Sequence, residues 1–508
     1  MIMASTKQLA SLWLGKSLLL LIVVVLLYSA WIVYLVGQPL FGVLLLLVAL
    51  AVGVVFGWRR FYTVRFVVPG MITMLLFVLF PIIYTIYLGF TNYGSFNLLQ
   101  YERAQEVILA SRIVDKASSR PFSVYAEGDQ HRLYIGDGGQ GFLSEPAVLD
   151  GSPVTLVAQS HVQPDVPALS KRDVIKIRKA LAQVIIRLPD GTEMQSAGLR
   201  AFAVIQPEYT LQVDGSLIHQ TTSKQYIADH ETGFYTDEDN QRLAPGWRTH
   251  IGLDNFKRIF NSAGIRGPMW SIFLWTMAFA VGSVVFCFIL GVSLAVVLQW
   301  PHLRYRSFYR VMLILPYAVP AFISILVFKG LFNQNFGEIN LLLEAMFGIR
   351  PEWNTDGSLA RGMLLIVNTW LGYPYMMLLA MGFLQAVPED QKKAAYMEGA
   401  GVLRVFFTIT LPQIMPPFLP LLLAAFAFNF NNIVLILLLT RGLPDIPGTL
   451  IPAGETDILG SFTYRIAFMD SGTQFGLAGA ITLIIFLLVS VIAYANFVAM
   501  RRAQGTTV

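Results

Sequence analysis

A chain of 508 residues that is 55% hydrophobic and only 13% charged, with mean hydropathy +0.61, does not have the composition of a water-soluble enzyme. The formal net charge of +5 and pI of about 9.1 trace to Lys and Arg at the ends of apolar runs, not to a nucleic-acid surface. A single cysteine, Cys287, excludes an internal disulfide.

A crossing of the ~30 Å hydrocarbon core takes about 20 mostly apolar residues. Eight stretches qualify: 17–37, 40–57, 66–90, 269–299, 311–328, 362–386, 411–440 and 475–500. The first is too long for a signal-peptide core, and no small-x-small cleavage site follows it, so it reads as a retained anchor. The second is short for a span. The sequence ASLWLGKS (10–17) fits a permissive phosphate-loop pattern, but it begins with Ala10, is not glycine-rich and runs into a span instead of following a strand. Residues 1–90 therefore form a segment of three transmembrane helices.

Residues 91–268 make a hydrophilic insert of 178 residues with 20 acidic and 18 basic side chains, the size and charge balance of a soluble domain. Turn signals separate short apolar runs in RLYIGDGGQGFL (132–143) and VIIRLPDGTEM (184–194), where D-G and P-D-G predict hairpins. One helix is expected over 170–183, with Ser170 and Asp173 as a capping pair and Val174, Ile177 and Leu181 on one face. The insert reads as a β-rich α+β domain without disulfides and without evident chemistry.

Residues 269–508 return to the membrane. On the sixth span Asn368, Leu371, Gly372 and Tyr375 follow i, i+3, i+4, i+7 spacing, as do Ala425, Phe428, Asn429 and Asn432 on the seventh. Carboxamides beside aromatic planes suit a sugar, which presents hydroxyls at its edge and C–H groups on its faces, and small Gly372 leaves room. Buried Asn and Tyr also join helices in membrane bundles. Both readings stand at this point.

Between those spans lies a polar loop, 387–411. Pro388 suits a first helical position, Glu389 and Asp390 complement the helix dipole, and Ala394 and Ala395 permit close approach. Gly399 is placed to end the helix in a left-handed conformation, and a second helix runs from 402 to 410. Spacing alone makes this an ordinary helical hairpin.

With the N-terminus inside, the short inside segments carry thirteen Lys and Arg, among them Arg59, Arg60, Arg65, Lys392 and Lys393, against five outside. Both termini and the loop 387–411 are then cytoplasmic, and the insert faces outward. None of the eight stretches contains Asp, Glu, Lys, Arg or His. That argues against a proton-coupled carrier, although sodium coupling through backbone carbonyls stays open. The six histidines lack metal spacing, and no hydrolase motif occurs.

The order AAYMEGA, FFTITLP and then Pro416 resembles the cytoplasmic loop of binding-protein-dependent ABC importer permeases. The pattern is met at Ala394, Ala395, Glu398, Gly399, Ala400, Ile409, Leu411 and Pro412, while Lys393 stands where that family usually carries Glu. The stretches ILPYAVPAFISILVFKGLFNQNFGEIN (314–340), VNTWLGYPYMM (367–377), FAFNFNN (426–432), FTYRIAF (462–468) and FTNYGSFN with YERAQEVILA (90–110) resemble the larger permease subunits of maltose and maltodextrin importers.

The resemblance implies a membrane all-α fold of eight transmembrane helices, a type I importer permease core, with the β-rich α+β domain inserted. It implies a multi-pass protein of the bacterial inner membrane with no catalytic site, and no cofactor in this chain, since ATP and Mg would be bound by partner ATPases. The implied partners are a second homologous permease, an ATPase dimer, a periplasmic maltose-binding protein, maltose or maltodextrins, and lipid, with no nucleic acid. It makes Lys393, Ala394, Ala395, Met397, Glu398, Gly399, Ala400 and Pro412 the ATPase-coupling residues. Asn368, Leu371, Gly372, Tyr375, Ala425, Phe428, Asn429 and Asn432 become the sugar site, with Ala425 where Ser is usual. Two rival functions remain at this stage: an ion-coupled single-chain sugar carrier, and a membrane-anchored receptor acting through its outer domain.

Overall fold

The computed structural model describes residues 2–136, 140–164, 166–300, 302–449, 451–469 and 473–503. They fall into two compact units, Met1–Ser95 with His250–Val508, and Phe96–Thr249.

The first unit opens with α1 (Ile2–Leu35) and α2 (Pro39–Gly57), a hairpin of apolar helices. Two 3-10 turns, Arg59–Phe61 and Val64–Phe66, lead to α3 (Val68–Met74), a π turn at Leu75–Leu79 and α4 (Phe80–Gly89), which form one span. The π turn sits just before Pro81, which has no N–H to donate one turn back.

In the unit Phe96–Thr249, α5 (Tyr101–Leu109) precedes β1 (Arg112–Val114). A closed barrel follows: β2 (Arg120–Glu127), β3 (Gln130–Ile135), β4 (Gln140–Ser144), β5 (Val154–Val162), then α6 (Lys171–Lys176) and α7 (Arg178–Leu181), then β6 (Val184–Arg187), β7 (Glu193–Ser196) and β8 (Ala201–Ala203). Neighbours are antiparallel except β5 and β6, which run parallel with Val154 opposite Val184 because the two short helices carry the chain across. Pairing of Arg120 with Phe202 closes the barrel. Its core holds Val124, Leu133, Ile135, Leu156, Ile186 and Phe202, all buried.

Next, β9 (Ile205–Pro207) pairs with β1, and β10 (Tyr209–Leu211), β11 (Leu217–His219), β12 (Gln225–Asp229), β13 (Phe234–Thr236) and β14 (Arg242–Leu243) form a meander that packs with α5 through Ala104, Ile108, Tyr209, Leu217, Tyr235 and Trp247.

Both hairpins read from turn chemistry are present, with Tyr134 opposite Leu143 and Arg187 opposite Glu193. Gly138 and its neighbours at 137–139 lie outside the described residues. The expected helix at 170–183 is two short helices broken at Ile177. Ser170 caps the first: its Oγ accepts from the Asp173 N–H at 3.3 Å and donates to the Asp173 carboxylate at 2.6 Å. The sequence drew the domain at 91–268, but the compact unit is Phe96–Thr249. The membrane unit resumes with α8 (Asp254–Asn261), and α9 (Ala263–Gln299) begins five residues before Pro268 and carries that proline inside it.

Then come α10 (Arg306–Ala318), α11 (Ala321–Leu331), α12 (Glu338–Phe347), α13 (Gly357–Ala386), α14 (Glu389–Met397), α15 (Val402–Val405), a π turn Phe406–Thr410, α16 (Leu411–Phe430), α17 (Ile433–Leu439), α18 (Leu459–Phe468) and α19 (Phe475–Ala503). Among the described residues seven helices are long and apolar enough to cross a membrane, or eight if a bent pair counts as one span. That pair is α10 and α11, which the sequence read as the single run 311–328 and which bend by 92° at Val319 and Pro320. Proline removes a donor and pushes the residue before it out of the helical region, and Val319 has ψ 130°. The run 411–440 is corrected as well: the span is Val402–Phe430, and the chain leaves the helix at Asn431 before α17.

The helices α9 and α13 set the centre of the membrane unit. A Cβ on Gly291 would lie 2.7 Å from the Met377 backbone nitrogen, so only glycine permits this approach, and the Gln299 amide donates to the Met381 carbonyl at 2.8 Å. Cys287, Met376, Met377, Ala380, Ile414 and Phe418 are buried around this crossing.

Candidate functional site

The polar residues on α13 and α16 form one network at the place where α16 ends. The Asn368 amide donates to Asn429 Oδ1 at 2.7 Å, and Asn368 Oδ1 accepts from Asn432 Nδ2 at 3.3 Å. Asn429 donates to the Ala425 carbonyl at 2.8 Å, and Asn432 Oδ1 accepts from the Leu435 N–H at 3.4 Å, capping α17. Asn368 and Asn429 are buried and Asn432 is half-buried. Each carboxamide thus both donates and accepts within the chain, as buried polar groups require.

Side chains of the same two faces divide between inward and outward roles. Phe428 is 70% exposed and Tyr375 37% exposed, whereas Leu371 packs into the cluster of Phe279, Val367 and Leu435 and Ala425 packs beside Ile414 and Phe418. Two expectations need correction. Asn432 does not continue the face of Ala425, Phe428 and Asn429, because α16 stops at Phe430 and Asn432 caps the next helix. Gly372 does not open space for a ligand: a Cβ there would lie 2.6 Å from Cys287 Sγ on α9, so its small size serves helix contact. Nothing in the spacing of Gly372 could distinguish these roles, since the partner lies 85 residues away.

The second region is the hairpin after α13. Pro388 is the cap of α14, one position earlier than a first helical residue, and Glu389 and Asp390 fill the first turn. Gly399 has φ +85°. Its N–H donates to the Tyr396 carbonyl at 3.1 Å while the Ala400 N–H reaches the Ala395 carbonyl at 3.0 Å, the paired bonds that close a helix on a left-handed residue. Lys393 lies 3.4 Å from Glu389 and 4.0 Å from Asp390, an exposed intrahelical pair. Ala394, Ala395, Glu398, Thr408, Ile409 and Pro412 line a hollow of about 430 Å³ between α14 and the start of the seventh span. The amide of Gln413 ties the two sides by donating to Gln391 Oε1 at 2.7 Å. Met397 is 89% exposed, with Val402, Leu403 and Phe407 also exposed, so the hairpin carries an uncovered apolar surface.

A third feature escaped the sequence reading. In the loop between α17 and α18, Asp457 is fully buried; Arg465 on α18 is nearly so, and it bonds Asp457 at 2.7 Å and Asp445 at 2.6 Å. Burial pushes the Asp457 carboxyl up, and the Arg465 guanidinium pulls against that shift. This is a structural clasp on the loop 440–458. The signal available was an aspartate and an arginine eight residues apart in an otherwise uncharged stretch. Among the described residues no group of three or more His, Cys, Asp or Glu is arranged to hold a metal.

Comparison with known proteins settles the family. The chain is 46% identical over 483 residues to the Maltose/maltodextrin transport system permease protein MalF of Escherichia coli strain K12, covering 93% of this chain and 94% of that one. The MalF of Yersinia pestis is 47% identical over 502 residues, covering 96% of this chain and 94% of the relative. The chain belongs to the MalF family. Residues 99–252 match the family described as Maltose transport system permease protein MalF P2 domain, and 287–502 match Binding-protein-dependent transport system inner membrane component. A MalF-family chain is an inner-membrane permease, a transport component and not an enzyme. Its P2 match covers the barrel and the meander, and its permease match covers all of α13 to α18, including both candidate regions.

Proposed function

We infer that this chain is the permease subunit of an ATP-driven importer for maltose and maltodextrins, lining the path together with a second, MalG-type permease. The observation that carries the reading is the near full-length match to MalF proteins, whose names state that transport system. In this reading a dimer of MalK-type ATPases binds ATP and Mg²⁺, none of which is held by this chain, and seats the hairpin of α14 and α15. The exposed apolar residues Met397, Val402 and Leu403 and the hollow at Ala394, Ala395, Glu398 and Pro412 support that role, since a surface of this kind is normally covered. Gly399 and Ala400 fix the corner, and Lys393 meets the ATPase as a cation paired with Glu389.

For the sugar path, Tyr375 and Phe428 offer exposed aromatic faces, and Asn432 a half-exposed carboxamide. Asn368, Leu371, Gly372, Ala425 and Asn429 act from behind them by holding α13, α16 and α9 together. Both termini lie in the cytoplasm, the unit Phe96–Thr249 lies in the periplasm, and that unit receives a maltose-binding protein. ATP-driven closure of the ATPases shifts the population between inward and outward states.

The test is copurification of the chain from its native membrane followed by reconstitution. A complex with a second permease and an ATPase dimer, importing maltose only with ATP and binding protein, is the expected result. Uptake by the chain alone, driven by an ion gradient, overturns it.

A further inference from the structure

The link between the second and third spans carries chemistry that neither sugar transport nor ATPase coupling uses. Its sequence is WRRFYTVRF, residues 58–66, and it is built of two 3-10 turns directly between α2 and α3. Backbone N–H groups bond locally, from Phe61 to Trp58, Tyr62 to Arg59, Arg65 to Tyr62 and Val67 to Val64, at 3.0–3.3 Å. A segment satisfied in this way needs no partner backbone and can rest at a bilayer surface.

The three arginines are not equivalent. Arg65 turns back onto the end of α2: its Nε donates to the Val55 carbonyl at 2.9 Å, and Nη2 donates to Phe56 at 2.8 Å and Trp58 at 3.3 Å. It thereby satisfies carbonyls that a helix C-terminus leaves open and sets a cation at the negative end of the dipole. Its guanidinium also lies over the Phe56 and Tyr62 rings, 5.8 Å from each. Arg59 and Arg60 are exposed, and neither guanidinium has a hydrogen bond, ion pair or ring contact among the described residues. Beside them Trp58, Tyr62 and Phe66 are 62%, 63% and 76% exposed.

We propose that residues 58–67 form a binding site for the headgroup of an anionic phospholipid, with Arg59 and Arg60 on the phosphate and Trp58, Tyr62 and Phe66 seated at the level of the acyl-chain boundary. Lipid is the occupant because the segment is continuous at both ends with membrane spans, Pro39–Gly57 and Val68–Gly89. Trp58 and Tyr62, aromatic rings with one polar end, favour that depth, Phe66 adds apolar surface beside them, and paired guanidinium groups there select negative charge. Arg65 is the positioning residue: by capping α2 it holds the link against the helix end and leaves its neighbours free.

The test uses the full chain in its assembled complex, in vesicles of phosphatidylcholine doped with a photoreactive phosphatidylglycerol, with crosslinks mapped to the peptide 56–67. Wild type is expected to label there, and more strongly than with a photoreactive phosphatidylcholine. Two basic residues at roughly fivefold each predict about a 25-fold loss of preference in Arg59→Gln with Arg60→Gln. The Lys pair, Arg59→Lys with Arg60→Lys, should keep most of the preference and serves as the control for insertion. Equal labelling of the Gln pair and wild type overturns the site. So does loss of labelling on adding inorganic phosphate at matched ionic strength, which would make the ligand a free anion, or crosslinking of this peptide to a protein subunit in place of lipid.

Discussion

Gly399 shows how much one backbone conformation carries. At φ +85° a residue with a Cβ costs about 1–2 kcal/mol, more if β-branched, and the two bonds that close α14 depend on that turn. Gly399→Val should give a chain that inserts in the membrane but copurifies poorly with ATPase and loses sugar-stimulated hydrolysis; wild-type coupling in that variant ends the hairpin assignment. The asparagine network separates two roles in the same way. Asn429→Ala strips the buried Asn368 amide of its 2.7 Å acceptor, at a cost of about 1–3 kcal/mol, so the complex should melt earlier. Tyr375→Leu and Asn432→Ser, the latter retaining a side chain able to cap α17, should instead leave assembly and ATP response intact while maltose uptake falls. Asn431 is exposed, and its amide has only a long 3.4 Å bond to Ala427, so Asn431→Ala is the matched control. Uptake per assembled complex that is equal in all of these variants and in wild type leaves the sugar site without support.

At the scale of elements, the crossing of α9 and α13 is governed by Gly291. An added side chain would run into the Met376 Cβ and the Met377 backbone, both 2.7 Å from a Cβ on Gly291, and backbone cannot move aside as a flexible side chain can. Overpacking of a filled core typically costs about 1–3 kcal/mol. Gly291→Leu should therefore lower the melting temperature of the purified complex, whereas Gly362→Ala, with open space around its position on the same α13, should not. A tolerant Gly291 would mean that these helices are held by other contacts. The bend between α10 and α11 belongs to this scale too, since Pro320 breaks the run wherever the neighbouring helices lie.

At the scale of the molecule, two compact units with separate cores predict that residues 96–249 form a folded protein when expressed alone. The barrel core of Leu133, Ile135, Ile186 and Phe202 and the meander core of Tyr235 and Trp247 are both complete within that stretch. Purified 96–249 should unfold cooperatively and give a β-rich circular dichroism spectrum. Titration calorimetry should then detect association with the maltose-binding protein, and a folded fragment that never binds it under transport conditions rules out that role.

The membrane class, the number of apolar runs, the hydrophilic insert and the glycine corner at Gly399 were legible in the chain because each depends on residues within about one helix length. Hydropathy is a local sum, and a left-handed turn is a property of one residue and its neighbours. Barrel closure was not legible, since the pairing of Arg120 with Phe202 joins residues 82 apart and no short pattern records it. The same holds for Gly372, whose spacing suited a ligand face but whose Cβ position is claimed by Cys287, and for the carboxamides of Asn368, Asn429 and Asn432, which found one another across two helices. Helical periodicity says which residues share a face. Only the packed neighbours decide whether that face meets a helix, a solute or lipid.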